Sequence, residues 1–543
     1  MRPAAMASLL ALLAAVPLFA GCTETQPPAD IAAAQVVAVG GHVNQQVTVD
    51  PVSRQANELS VAVNPKNALN IIATGKDYTQ PFAGECVWDG IYSSHDGGAT
   101  WKNANLPYSP WKARADAAAG QQPQVDPQGL SRFYCATDPV VAFGPDGSAY
   151  WAVMPYQCDP ASGSATGRGN IPPGGLNDWF WTCSAMYVLT SHDGGDTWGA
   201  PVQVAFGPRL QNDKMWIAVG PATPGHSSGL VLLCWDQDAW ASGAVRDDYN
   251  ALTQGVGAPP YPDPPVPADQ PVPARTVCAT SANQGASWTQ PDQAGGLPVA
   301  GDVYVPWVDF AANGTAYMGA VGSGGHIVVL HSQDGLRWSQ PTLVGNYTDP
   351  VNALMNGFSS LNGSAFRVSG FPSLSVDRSS GPFGGSIYVT WMDAKSGSGR
   401  TMLTASHDGG RTWTPVAWIH DIAADDGSQR GDQFMPDVSA GPDGTVDLAW
   451  QDRRVDPNNH LFDTFYAFSL DGGRTFSSPL RVSNSSSDEQ YSHHQNGAIF
   501  LGDYRQTASS WGAAHPVWVD TRNHKADVFT ATVTRPSANG ASP

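Results

Sequence analysis

The sequence predicts an all-β protein, a β-propeller of four-stranded antiparallel blades, seven by count with six as the alternative. Three observations predict it: a turn motif that recurs along the chain, a strand–turn–strand segment ahead of several copies, and a composition rich in Gly, Pro and Trp but poor in charge. Units of this size cannot bury both faces alone, so they must stack on one another into a continuous core.

The motif reads SHDGGATW at 94–101 and returns as SHDGGDTW at 191–198, SHDGGRTW at 406–413 and SLDGGRTF at 469–476. Looser copies are SANQGASW at 281–288 and the shortened SQDGLRW at 332–338. These residue types suit a tight turn between two strands. An Asp side chain accepts hydrogen bonds from the amides of its own turn. Glycine takes positive φ without steric cost. The final aromatic ring is large enough to bury between strands. Asp96, Asp193 and Asp408 are therefore read as scaffold.

The segments beginning at Asn57, Asp138, Gly370 and Gln433 each give an apolar strand, a turn with Asn, Asp, Pro or Gly, and a second apolar strand. A variable loop, a third strand, the motif and a fourth strand complete a blade. First strands near Leu59, Val140, Met215, Val305, Pro372, Met435 and Ala498 make seven units. The last lacks the turn motif and supplies three strands. The stretch from Val36 to Val49 is expected to add its fourth and close the ring. The Pro-rich segment from Ala258 to Pro273 reads as a surface loop inside the third unit.

Composition agrees: 58 Gly and 44 Pro in 543 residues, with 14% charged, disfavour long helices. A net charge of −19 repels phosphate backbones, so no nucleic-acid partner is expected. At the start, Arg2 precedes an apolar stretch from Ala7 to Ala20, too short to span a bilayer comfortably. Leu18 to Cys22 (LFAGC) resembles the lipobox of bacterial lipoproteins; the alternative is an ordinary signal peptide with a chance Cys. The resemblance implies a signal peptide over 1–21, lipidation of Cys22, a tether over 22–34, the propeller over 35–535 and a C-terminal tail over 536–543. The protein is then exported and lipid-anchored to the bacterial cell envelope, at the outer membrane or cell surface, touching the membrane through the anchor alone, and a monomer. The six remaining cysteines, Cys86, Cys135, Cys158, Cys183, Cys234 and Cys278, suggest disulfides in an exported chain. The repeat favours neighbours: Cys86–Cys135, Cys158–Cys183 and Cys234–Cys278.

On the turn motif, the chain resembles the bacterial sialidase-like, Asp-box (BNR) repeat proteins over nearly all of its mature length. A sialidase resemblance implies three arginines gripping a substrate carboxylate, a Tyr nucleophile partnered by a Glu, and an Asp acid/base. The family's first arginine lies in a Phe-Arg-Ile-Pro-like string before the first box. Here only Arg54 precedes Ser94 in the mature chain, and the nearest string is Phe366-Arg367-Val368, ahead of unit five. The glutamates after Cys22 are Glu24, Glu58, Glu85 and Glu489. The resemblance implies a surface-anchored propeller that acts on or binds glycans, as an exo-sialidase or other glycoside hydrolase; the alternatives are a non-catalytic glycan- or protein-binding propeller and a polysaccharide lyase.

Topology narrows the site. In an antiparallel blade the 1–2 and 3–4 turns share one face, and the 2–3 loops and inter-blade connections share the other. Recurrent polar groups fall on that second face. Second strands end in Trp-x-Asp at Trp391/Asp393, Trp450/Asp452 and Trp518/Asp520, followed by Arg453, Arg454 and Arg522, with Arg400 further on from Asp393. Unit one has Lys76-Asp77-Tyr78 there, and the connections add Arg132, Tyr134, Asp138, Asp213, Lys214, Asp302, Arg367 and Asp432. Asp452, Arg453, Asp520, Arg522, Asp393 and Arg367 are the candidate catalytic residues: carboxylates for acid–base work and arginines for a ligand carboxylate. The competing reading makes each Trp-x-Asp-Arg set a blade-to-blade cap. No cofactor is expected. Structural calcium is considered at Asp247-Asp248 and Asp425-Asp426, which lack full EF-hand spacing. His493, His494 and His515 read as exposed loop histidines, with a metal site as the alternative.

Overall fold

The computed structural model describes residues 42–48, 55–78, 87–109, 120, 126, 129–158, 184–207, 210–239, 272–289, 297–299, 302–350, 352–353, 359–419, 431–495 and 498–539. Among them stand seven four-stranded antiparallel blades with strands a to d from the channel outward. Blade 1 is Ala56–Asn64, Asn67–Asp77, Trp88–Ser94 and Lys102–Asn105. Blade 2 is Phe133–Phe143, Ala149–Cys158, Ser184–Ser191 and Val202–Gly207. Blade 3 is Leu210–Val219, Val231–Ala239, Val272–Ser281 and Leu297–Pro298. Blade 4 is Val303–Phe310, Ala316–Gly322, His326–Ser332 and Thr342–Asn346. Blade 5 is Ser373–Val376, Ile387–Asp393, Arg400–Ser406 and Ala417–Trp418. Blade 6 is Gln433–Ala440, Val446–Asp452, Asp463–Ser469 and Leu480–Arg481.

Blade 7 takes Thr507–Ser510, Ala513–Asp520 and Asp527–Thr530 from the end of the chain and Gln45–Gln46 from its beginning. Gln45 lies opposite Thr530 and Gln46 opposite Phe529, so the N-terminal segment closes the ring as expected. One expectation is corrected. Ala498–Phe500 is not the first strand of blade 7; it pairs with His493–Gln495 in a hairpin ahead of the blade. Gly502 then turns the chain, at φ 98°, against blade 1: a Cβ there would stand 2.7 Å from the Glu58 amide nitrogen. Only after that turn does the inner strand start, at Thr507.

The recurrent turns form as their sequences imply. Asp96 Oδ1 accepts from the Thr100 amide at 2.9 Å, and Ser94 Oγ accepts from the Gly98 amide at 2.9 Å. Gly97 and Gly98 sit at φ 75° and 91°. Trp101 Nε1 donates to the Gly98 carbonyl at 3.0 Å. Asp193, Asp408 and Asp471 repeat the hydrogen bond from the amide four residues on. The core lies within the blades and between neighbours, where Trp88, Trp151, Trp235, Trp391, Trp450 and Trp518 are fully buried. Such rings are the largest apolar areas available to a blade.

Cys234 and Cys278 form a disulfide. Cys135 is disulfide-bonded as well. Cys22, Cys86 and Cys183, the Cys158 side chain, and both acidic pairs considered for calcium lie outside the described residues.

Candidate functional site at the channel mouth

The inner strands of blades 1, 2, 3, 4 and 6 share a defect. Register slips between Asn57 and Ser60, Thr137 and Val140, Asp213 and Trp216, Tyr304 and Trp307, and Phe434 and Asp437. Within each bulge a non-glycine residue adopts positive φ: Glu58 (54°), Asp138 (55°), Lys214 (46°), Val305 (56°) and Met435 (47°). Bulges re-aim side chains, and strained φ of this kind persists only where the surroundings enforce it. The bulges lie near the N-terminal ends of their strands, so they sit at the channel end away from the Asp-bearing turns.

Three neighbouring bulges carry charge, and their side chains meet. Lys214 Nζ lies 2.5 Å from Asp503, 3.2 Å from Asp138, 3.6 Å from Glu58 and 3.8 Å from Asp213. Lys76, at the end of strand b of blade 1, lies 3.4 Å from Glu58 on the other side. Arg367, ahead of blade 5, grips Asp503 through Nε at 2.7 Å and Nη2 at 2.5 Å. Phe500 is covered by Lys76 (5.0 Å) and Arg367 (4.4 Å), and Tyr78 stacks on His493 at 3.6 Å. Three blades and two connections thus converge on one point.

Burial drives the electrostatics. Glu58 is 0% exposed, and burial, reinforced by Asp138, pushes its carboxyl up to about 8 against the pull of Lys76 and Lys214. Burial works against ionisation of Asp138 too, but Lys214 and Lys76 overcome it and hold that group far below the usual carboxylate range. Asp503 is held at about 2, because Arg367 and Lys214 outweigh its burial. Burial lifts Asp213 to about 6. Lys214 stays charged because its carboxylates outweigh desolvation. At neutral pH a protonated acid, Glu58, therefore stands in one cluster with an ionised carboxylate, Asp138. Opposed environments of this kind separate acid from base.

Of the six residues singled out in the sequence, Arg367 alone joins the cluster. Asp452 accepts from Trp450 Nε1 at 2.7 Å and from Arg454 Nη2 at 2.5 Å. Asp520 does the same for Trp518 at 2.9 Å and Arg522 at 2.7 Å. Arg522 also reaches Asn44 and Asn484, tying the N-terminal segment to blade 7. Asp393 accepts from the Thr348 amide at 2.8 Å. Arg453, a candidate catalytic residue by sequence, is fully buried under Phe366 and Phe434, with Nη2 on Glu489 at 2.5 Å. The reason is a strap. Glu489 also accepts from the Ala365 amide, and Phe366 bridges Ile499, so the connections before blades 5 and 7 are stitched together over blade 6.

Lys76, Tyr78, Asp138, Asp213 and Lys214 were on the predicted face but were not singled out, and Glu58 and Asp503 were missed as site residues. A charged residue inside an otherwise apolar first strand was the available signal for Glu58, Asp138 and Lys214. Nothing in the sequence marks Asp503.

No family model and no curated protein matches the chain. Solved structures do. A Hadza microbial sialidase aligns at 15% identity and TM-score 0.40, over 73% of this chain and 63% of that one, less than two thirds of its length. The intramolecular trans-sialidase from Ruminococcus gnavus aligns at 12% and 0.42, over 77% and 94%. An α-L-arabinofuranosidase of Fusarium graminearum aligns at 13% and 0.38, over 81% and 97%. At such identities no residue role passes from any of them to this chain.

Proposed function

We propose that the protein is an exported, glycan-handling propeller, tethered through Cys22, whose ligand meets the channel mouth above Lys214. The observation that carries the reading is the meeting of two buried carboxyls, Glu58 at 3.6 Å and Asp138 at 3.2 Å, on Lys214, in surroundings that push Glu58 up and hold Asp138 down. General acid–base chemistry on a glycosidic bond needs one acid and one carboxylate close by. In this reading Glu58 gives its proton to the leaving oxygen, and Asp138 meets the positive charge that develops on the sugar. Tyr78 and His493, both part-exposed, offer ring faces to a sugar.

A panel of fluorogenic sialosides and other glycosides tests this on the full chain. Turnover of one substrate, lost in Glu58→Gln, is the expected result. A second reading, a non-catalytic binder, is favoured by the complete burial of Glu58 and by the bidentate hold of Asp503 on Arg367. Silence across the panel together with retained glycan-array binding selects it.

A further inference from the structure

Glu58 is not the one deeply buried acid at this mouth. Asp89 is the second residue of strand c of blade 1 and is 0% exposed, and among the described residues neither of its carboxyl oxygens has a hydrogen-bond partner. The blade's register places it. Lys76 lies opposite Asn57 on one side and opposite Asp89 on the other. Directly opposed residues share a sheet face, so Lys76 and Asp89 are neighbours on one face, and Lys76 Nζ reaches Glu58 in the bulge at 3.4 Å. Asp77, the next residue, is opposite Trp88 and points to the other face.

The charges around it can be counted. Lys76, Lys214 and Arg367 are the cluster's cations, and Asp138, Asp213 and Asp503 are the carboxylates closest to Lys214 or Arg367 besides Glu58. Lys76 and Lys214 serve Glu58 as well, but among the described residues no cation forms an ion pair with Asp89. A bare carboxylate without hydrogen bonds is too costly to bury, and it neutralises instead. We infer that Asp89 is the second acid of this site, an uncharged carboxylic acid across Lys76 from Glu58, whose neutrality leaves the charge of Lys76 to Glu58 and Asp138. The inference rests on the reading of Glu58 as the proton holder.

Burial pushes the Asp89 carboxyl up, and Asp138, Glu58 and Asp77 push it further against the pull of Lys76. Tyr156 and Tyr504 also face this group, and burial keeps their hydroxyls un-ionised. The functional consequence has a sign. An ionised Asp89 would raise Glu58 further and hold its proton too tightly to release. A neutral Asp89 keeps Glu58 within reach of donation. Asp89 is thus a positioning residue that acts through Lys76.

Infrared spectroscopy of the full chain, with Asp or Glu carboxyls isotope-labelled in turn, reads this directly. At pH 7 the difference between wild type and Asp89→Asn is expected to show loss of one carboxylic-acid carbonyl band and no loss of carboxylate. The Glu58 midpoint, followed in the Glu-labelled protein, is expected to stay in place. Loss of a carboxylate band, or a downward move of the Glu58 midpoint, overturns the inference. Asp89→Leu is the second variant, because an acid without hydrogen bonds tolerates an apolar replacement of similar volume; the same unmoved midpoint is expected. Glu58→Gln separates the two readings. If it removes no acid band, the assignment of Glu58 fails whatever Asp89 does.

Discussion

Arg535 closes the propeller from the far side, and replacing it measures how firmly. It follows the last strand of blade 7 and reaches back into blade 6. There Nε and Nη2 hold the two oxygens of Asp447 at 2.6 and 2.7 Å, and Nη1 holds Asp443 at 2.5 Å. All three side chains are fully buried. Residues 538 and 539, expected to lie in a tail, dock beside them, with the Ala538 amide on Thr445 and the Asn539 amide on the Asp443 carbonyl. Arg535→Met keeps most of the volume and removes the charge. It leaves two buried carboxylates without a cation, a loss that costs about 3–5 kcal/mol in buried pairs. Urea unfolding followed by tryptophan fluorescence, extrapolated to water, gives the difference. Adding Asp443→Asn and Asp447→Asn to the same chain should recover most of it, since the penalty is the stranded charge and not the missing contact. A loss below about 1 kcal/mol, the range of an exposed pair, would refute the argument.

Four further outcomes are expected. Removing the Cys234–Cys278 bridge with Ala at both positions should cost about 4 kcal/mol on the loop-entropy estimate for its 44-residue separation, read in the same unfolding assay. Burial, with Arg535 nearby, holds His515 down at about 4 from an ordinary 6.5, so it contributes stability above pH 6.5 that is lost as pH falls toward 4; melting curves over that window should flatten in His515→Gln. Glu58 has the opposite sign. Its raised value makes stability fall as pH rises from about 4.5 through about 8, and Glu58→Gln should abolish that fall in melts at pH 9. Lys214→Met should move the Glu58 midpoint higher still, because one of its two opposing cations is gone; an unmoved midpoint in the infrared titration would exclude the contact.

The architecture was legible because it repeats. Asp96, Asp193, Asp408 and Asp471 make the same amide bond four residues on, so each copy of the motif reported the same local physics. The closing strand was legible as well, from a last unit one strand short. The error at Ala498 came from reading apolar residues as a strand of the ring, which they are not: they form a hairpin that Gly502 turns away. The site was harder. Trp-x-Asp-Arg sets recur for the same reason the turns do, and the structure gives Asp452 and Asp520 the indole and guanidinium of their own blades. What brings Glu58, Asp138 and Lys214 together is a one-residue slip in three inner strands. Such a slip has no sequence signature here, because no glycine marks it.

That contrast separates scaffold from site in this ring. A residue that recurs in every blade faces the same neighbours each time, and its hydrogen bonds can be met locally. A residue that occurs once meets whatever the other blades send to the channel. The bulge is common to blades 1, 2, 3, 4 and 6, yet its side chain is Glu, Asp, Lys, Val and Met in turn. Blades 4 and 6 spend the bulge on packing: Val305 donates its amide to Asp236 at 2.6 Å, and the Met435 carbonyl accepts from Arg505 at 3.1 Å. Blades 1, 2 and 3 present charge at the same backbone position, and only there do the side chains form one cluster around Lys214. The repeated backbone defect is structural, and the unrepeated side chains on it are what the channel mouth can use. If the defect alone made the site, charge placed at the fourth bulge would be harmless. Val305→Asp tests that: it sets a second carboxylate beside Asp236 at a half-buried position, and it should destabilise the fold rather than extend the cluster.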